Sequence, residues 1–250
     1  MFVSDDDLKL TYGVDLRIGK YLVDRKVPAG NLYWKDRYLY IPPMTGYLFI
    51  PVYMDLQYRL GISREELLSE EHLVFIETVL HSAAKQEFSL ITQEEHIKEC
   101  IEVSRRSGNN ESFLQELEYY FSGNRGRLSY WPGNKLQALN RGDAYLFTLC
   151  FFDTTPDRRS SMAKAWRSFI DYYLVQDDLE DLEKDYKSGD ENSLLEAGIH
   201  RAAETMKSIL QNSYEQLNPL NPVLGNRIDY EISKTKIDAT IETFIKKNAL

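Results

Sequence analysis

The stretch from Trp166 to Gly189, WRSFIDYYLVQDDLEDLEKDYKSG, restricts the possible folds of this chain more than any other. At roughly 100° per residue, Tyr172, Val175, Leu179, Leu182 and Tyr186 form one apolar stripe. The opposite side carries Trp166, Ile170 and Leu174, and then changes abruptly to Asp177, Asp178, Asp181 and Asp185. A helix that is apolar on both sides is buried on both sides. The pattern therefore predicts a central helix over about residues 157–187, inside an all-α protein. Its second buried side would line an apolar pocket and end in a rim of carboxylates. Clustered carboxylates are stable only when solvated, partly protonated or neutralised by cations. Hard oxygen ligands on a rigid surface suit Mg2+, which is usually completed by water and substrate phosphates. The plainer alternative is a helix that emerges into solvent at Asp177.

The remaining pattern is also helical. Val14, Ile18, Tyr21 and Leu22 share one face of a short helix, and GYLFIPVYMDLQYRLG is an apolar run closed by Gly61. Ser63 and Glu66 have capping-box spacing. Further helices are expected over 69–90, 93–106, 110–121, 134–152, 193–217 and 228–247. NLYWKDRYLYIPP reads instead as two short aromatic strands around Lys35 and Asp36, stopped by Pro42 and Pro43. The expected architecture is a single domain over 1–250: a mixed N-terminal segment, 1–43, with a small β element, then a helical bundle over 44–250.

Composition narrows the class of partner. The formal net charge is -9 and no long basic run occurs, so a nucleic-acid backbone is not an expected partner. No stretch approaches the 18 or so uninterrupted apolar residues of a membrane span. MFVSDDDLKL lacks the order of a signal peptide, and a cytoplasmic location is the default. Cys100 and Cys150 have no CxxC spacing, which argues against a structural zinc site or a disulfide framework. P-loop, dinucleotide, GxSxG and HExxH signatures are all missing from the sequence.

QDDLEDLEKDYKSGD resembles the second metal-binding motif of the class I isoprenoid synthase superfamily, which includes the prenyltransferases and terpene cyclases. Asp177, Asp178 and Asp181 match the acidic spacing of the prenyltransferase motif. Asp177, Asp178, Asp181, Lys184, Asp185 and Gly189 occupy the places of the cyclase motif. Asp181 stands where Ser or Thr is usual there, and Asp185 where Glu is usual. The resemblance implies a helical fold around an apolar cavity lined by Trp166, Ile170 and Leu174, with Glu77 and His81 also on its wall. Mg2+ would be held by the four aspartates, and a prenyl diphosphate by the metal with Lys184, Arg125 and Arg127.

The superfamily also carries a first acidic motif upstream, and this chain departs from that pattern. HLVFIETVLHSAAKQEFSL, the helix nearest in position, offers Glu77, His81, Lys85 and Glu87 in place of an aspartate pair. Asp143, Glu116 and Glu118 are the other upstream acids. The resemblance therefore implies a divergent member that does not elongate prenyl chains in the ordinary way, with a terpene cyclase-like reaction as one candidate. Loss of Asp178 and Asp181 together is expected to abolish diphosphate binding and to leave the fold as stable or more so, by relieving repulsion. Two other readings compete with this one. Glu77 with His81, and Glu196 with His200, are i, i+4 pairs that could serve an all-α non-haem iron oxygenase. A non-catalytic helical interaction protein, as a monomer or a homodimer, needs no ligand at all.

Overall fold

The computed structural model describes residues 4–35, 48–123, 134–234 and 236–248. Among these the regular structure is entirely helical, with no strand. The chain divides into two compact units. The first comprises residues 1–133 with 143–163, and the second comprises 134–142 with 164–250.

The first unit opens with α1 (Asp5–Tyr12) and α2 (Leu16–Asp24), which pack on each other. Ser4 and Asp7 close a capping box on α1, and the chain leaves that helix through Gly13 in the left-handed region at φ 68°. Next come α3 (Phe49–Arg59) and α4 (Arg64–Leu67). The expected Ser63–Glu66 capping box is formed: the Ser63 hydroxyl accepts from the Glu66 N–H at 3.1 Å, and the Glu66 carboxylate accepts from the Ser63 N–H at 3.2 Å. The long helix α5 (Glu70–Glu87) packs against α6 (Gln93–Ser107), which in turn contacts α7 (Glu111–Phe121). Phe75, Ile76, Val79 and Leu80 of α5 are all buried.

The sequence pattern predicts a helix over 134–152, and here the structure differs. Gln137–Asn140 and Asp143–Phe151 are two 3-10 segments separated at Arg141 and Gly142. Long 3-10 runs have poor hydrogen-bond geometry, so the carbonyls at their ends need outside donors. The Asn109 N–H donates to the Cys150 carbonyl at 2.8 Å, and the Asn109 and Asn110 side chains donate to those of Phe151 and Phe152. Gly108 permits this approach, because a Cβ there would sit 3.0 Å from the Cys150 carbonyl oxygen.

The first of the two expected N-terminal strands is not formed either. Leu32–Trp34 is a 3-10 turn, entered through Gly30 at φ 77° and capped by the Asn31 side chain, which accepts from the Tyr33 N–H at 3.0 Å. The residues of the other expected strand lie outside the described residues.

Helix α8 (Pro156–Glu180) contributes its first turns to the first unit and the remainder to the second. It is followed by α9 (Leu182–Ser188), α10 (Ser193–Glu196), α11 (Ile199–Leu217), α12 (Pro222–Lys234) and α13 (Ile237–Asn248). In the second unit α11 packs against α12 and α13, with Ala202, Met206, Leu210 and Leu217 facing the core. The helix expected over 193–217 is broken at Gly198, whose φ of 82° is a conformation open to glycine at little cost. The helix expected over 228–247 is likewise two helices, α12 and α13. No helix among the described residues is long and apolar enough to cross a membrane.

Candidate functional site

The two-sided burial of the central helix is observed. Trp166 and Ile170 are buried, Leu174 is half-buried, and Val175 and Tyr172 are buried on the other stripe. Trp166 and Ile170 are covered from within their own unit. A Cβ placed on Gly142 would lie 2.8 Å from Ile170 Cγ1 and 3.6 Å from Trp166 Cζ2, so the backbone of the 134–142 segment sits directly on them. At this point they are core residues packed on a glycine.

The run of aspartates is not one continuous helix. Helix α8 ends at Glu180, Asp181 occupies the junction at φ -92° and ψ 2°, and α9 begins at Leu182. The α-helical hydrogen bonds nevertheless run through the junction, from the Asp181 N–H to the Asp177 carbonyl and from the Asp185 N–H to the Asp181 carbonyl, each at 2.9 Å. Gly189 then ends α9 in the left-handed conformation at φ 79°.

The structure separates the four carboxylates into two kinds. Asp178 is 1 % exposed and fully engaged. One oxygen accepts from Arg141 Nη2 at 2.7 Å. The other accepts from the Ser193 N–H at 2.8 Å and, in a very short contact, from the Ser193 hydroxyl. Asp185 is also buried and accepts from the Asn192 side-chain amide at 2.9 Å. That same amide donates to the Asp178 carbonyl at 2.7 Å, while the Asn192 side-chain oxygen caps α10 by accepting from the Leu194 N–H. These two aspartates therefore tie the turn after α9 back onto the end of α8. Buried carboxylates in such a setting are stabilised by the donors aimed at them.

Asp177 and Asp181 are different. Their side chains are 67 % and 44 % exposed. Asp177 meets Arg141 Nη2 at 3.1 Å, and Asp181 meets Lys184 Nζ at 2.7 Å. Arg141 thus bridges a buried and an exposed carboxylate, and its other terminal nitrogen donates to the Ala138 carbonyl at 3.1 Å. Glu196 completes the network by accepting from the N–H groups of Gln137 and Ala138 at 2.7 and 3.0 Å.

This geometry overturns the expectation that replacing Asp178 and Asp181 together would leave the fold undisturbed. Repulsion is not the dominant force on Asp178, because a guanidinium and two donors of Ser193 surround it. Truncation would leave those donors buried and unmatched, which costs stability.

The other candidate residues are dispersed. Glu77 and His81 do lie one turn apart on α5, but each is committed to the N-terminal segment. Arg25 Nε donates to Glu77 at 2.7 Å, and the Leu32 N–H donates to His81 Nδ1 at 2.9 Å. Burial raises the Glu77 carboxyl above its ordinary range, and Arg25 opposes that rise. Glu196 and His200 are not on a common helix, since Gly198 separates α10 from α11. Asp143 is fully buried and accepts from the Tyr120 hydroxyl. Arg125 and Arg127 lie outside the described residues. Among the described residues no three His, Cys, Asp or Glu side chains are grouped so as to hold a metal ion by themselves.

Sequence reasoning missed Arg141, Asn192 and Ser193. The last two carried a legible signal, because Asn-Ser before an apolar pair is a helix-start pattern. Arg141 had none, being 36 residues from Asp177. No family model, no curated protein and no solved structure matches the chain.

Proposed function

We propose that the aspartate segment is a Mg2+-assisted binding site for a diphosphate, on an isoprenoid-synthase-like chain that takes prenyl diphosphates without ordinary chain elongation. The observation that carries this reading is the division of the four aspartates. Asp178 and Asp185 hold the backbone, while Asp177 and Asp181 remain exposed one helical turn apart, each beside a cation. Mg2+ retains much of its water and needs only one or two carboxylates when substrate phosphates complete its shell. The donor set therefore fits the ion, with Asp177 and Asp181 as its protein ligands. When bound, the ion would offset charge on a diphosphate.

Arg141 and Lys184 then have a second role. A metal on Asp177 and Asp181 would replace the partner of Lys184 and the exposed partner of Arg141, so that Lys184 could turn to phosphate oxygens and Arg141 could meet them from its anchor on Asp178. A guanidinium is well suited to that contact, and an ammonium acts there as a point charge. The acids of α5 give no matching motif, since Glu77 is paired with Arg25, and this supports binding without efficient elongation.

Calorimetry with inorganic pyrophosphate and with geranyl diphosphate, with and without Mg2+, tests the reading. Binding should require the metal and be lost in Asp177→Asn/Asp181→Asn. Binding that survives this double substitution, or that occurs equally without Mg2+, would reject the site. Lack of any binding by the wild-type chain would leave the helical interaction protein as the better account.

A further inference from the structure

The residues between α2 and the 3-10 turn lie along α5 in an ordered series of contacts. Arg25 reaches Glu70 at 2.9 Å and Glu77 at 2.7 Å. The Asn31 amide donates to the Glu77 carbonyl at 2.8 Å. The Leu32 N–H donates to His81 Nδ1, Trp34 is 2 % exposed, and the Lys35 ammonium lies 5.3 Å from the centre of the Phe88 ring at the end of the helix. Residues 25 to 35 therefore follow α5 from its first turn to its last.

Among these contacts the one to His81 depends on protonation. A backbone N–H can only donate, so Nδ1 must present its lone pair, and the imidazole must be neutral with its proton on Nε2. A second proton would set two donors against each other across 2.9 Å. The ring is half-buried, so solvent protons can reach it.

We propose that the segment Arg25–Lys35 is an acid-released strap on α5, latched at neutral pH by the neutral ring of His81. The ionisable groups that bear on the ring are Lys85, one turn further along α5, and Glu99 of α6, which Lys85 itself contacts. From the strap side the ring meets a backbone donor. Burial first, and then Lys85, hold the His81 pKa below its ordinary value, with Glu99 opposing them. The sign follows from this. The closed strap binds the proton less readily than the open one, so falling pH favours opening. With an open-state pKa near 6.5, the opening equilibrium should rise between pH 7.5 and pH 5.5, by at most about tenfold. Glu77 is the other titratable group under the strap, and the test must separate it from His81.

Hydrogen exchange of the full chain, read on peptides covering residues 25–35 and corrected for intrinsic exchange rates, measures this directly. Wild-type protection should fall from pH 7.5 to 5.5, by up to about tenfold, while peptides from α6 keep theirs. His81→Asn places an acceptor oxygen where Nδ1 stands and has no proton to gain, so its strap should stay protected at both pH values. His81→Leu removes the acceptor and should open the strap at both. A wild-type strap that shows no loss at pH 5.5 overturns the proposal. So does a loss that persists in His81→Asn, which would place the proton elsewhere, or a strap that stays closed with Leu at position 81.

Discussion

Helix α5 and the aspartate segment both bring carboxylates to helix faces opposite arginine, and they use them differently. On α5, the acid and histidine at 77 and 81 are turned to one purpose, the attachment of residues 25–35. At the end of α8, four acids of one type are divided by burial, two serving the backbone and two remaining at the surface. The difference lies in what opposes each group. Donors of Asn192 and Ser193 enclose Asp178 and Asp185, whereas Asp177 and Asp181 meet only the side-chain cations of Arg141 and Lys184, which an incoming cation can displace. A cluster of like charges in sequence is thus a set of separate environments in space.

The largest effect expected of a single substitution tests that division. Asp178→Ala should cost about 3 kcal/mol, since it strands the Ser193 donors in the interior and removes one partner of Arg141. Urea unfolding should show the loss, and an unchanged midpoint would mean that Asp178 is no more structural than Asp177.

Acid should weaken the α5 unit by a comparable amount at each of two buried histidines. His72 and His96 are buried, and burial depresses both to about 4. The unfolded chain takes up protons near 6.5, so stability is complete above that pH and is lost as pH falls from 6.5 towards 4. Each ring contributes roughly 3 kcal/mol of that dependence, at about 1.36 kcal/mol per unit. Denaturant midpoints at pH 7.5, 5.5 and 4.5 should fall in order, and His72→Phe should flatten the trend. His72 has the better environment for that change, because it lies 5.0 and 4.7 Å from the ring centres of Phe151 and Phe152.

Gly142→Ala should cost about 1–3 kcal/mol by forcing a methyl group into Ile170. Recovery of stability in Gly142→Ala/Ile170→Val would confirm that steric contact is the cause. Smallest in stability is Asp177→Asn, expected within about 0.5 kcal/mol of wild type. Its consequence should appear in Mg2+-dependent pyrophosphate binding instead. A variant that lost stability and kept binding would reverse the assignment of the exposed and buried pairs.

Local chemistry settles a good part of the fold in advance. Ser63 with Glu66 makes its capping box because both partners lie within one turn. The two-sided apolar run from Trp166 to Val175 is buried because no helix with that pattern can be solvated on either side. Breaks were harder to read. The 134–152 run is apolar enough for a helix, yet it is a pair of 3-10 segments, and the carbonyls at the end of the second are met by Asn109 and Asn110 from another loop.

The candidate site divides along the same line. The number and spacing of the aspartates belong to the sequence, because spacing on a helix follows from 3.6 residues per turn. Their separate fates were decided by the tertiary structure. Whether a carboxylate is structural or available depends on which donors reach it, and Arg141 and Ser193 reach Asp178 from 37 residues before it and 15 after. His81 is the same case on α5, where a backbone N–H 49 residues away fixes which nitrogen carries the proton. Periodicity carries no record of such contacts, since they exist only once distant segments have packed.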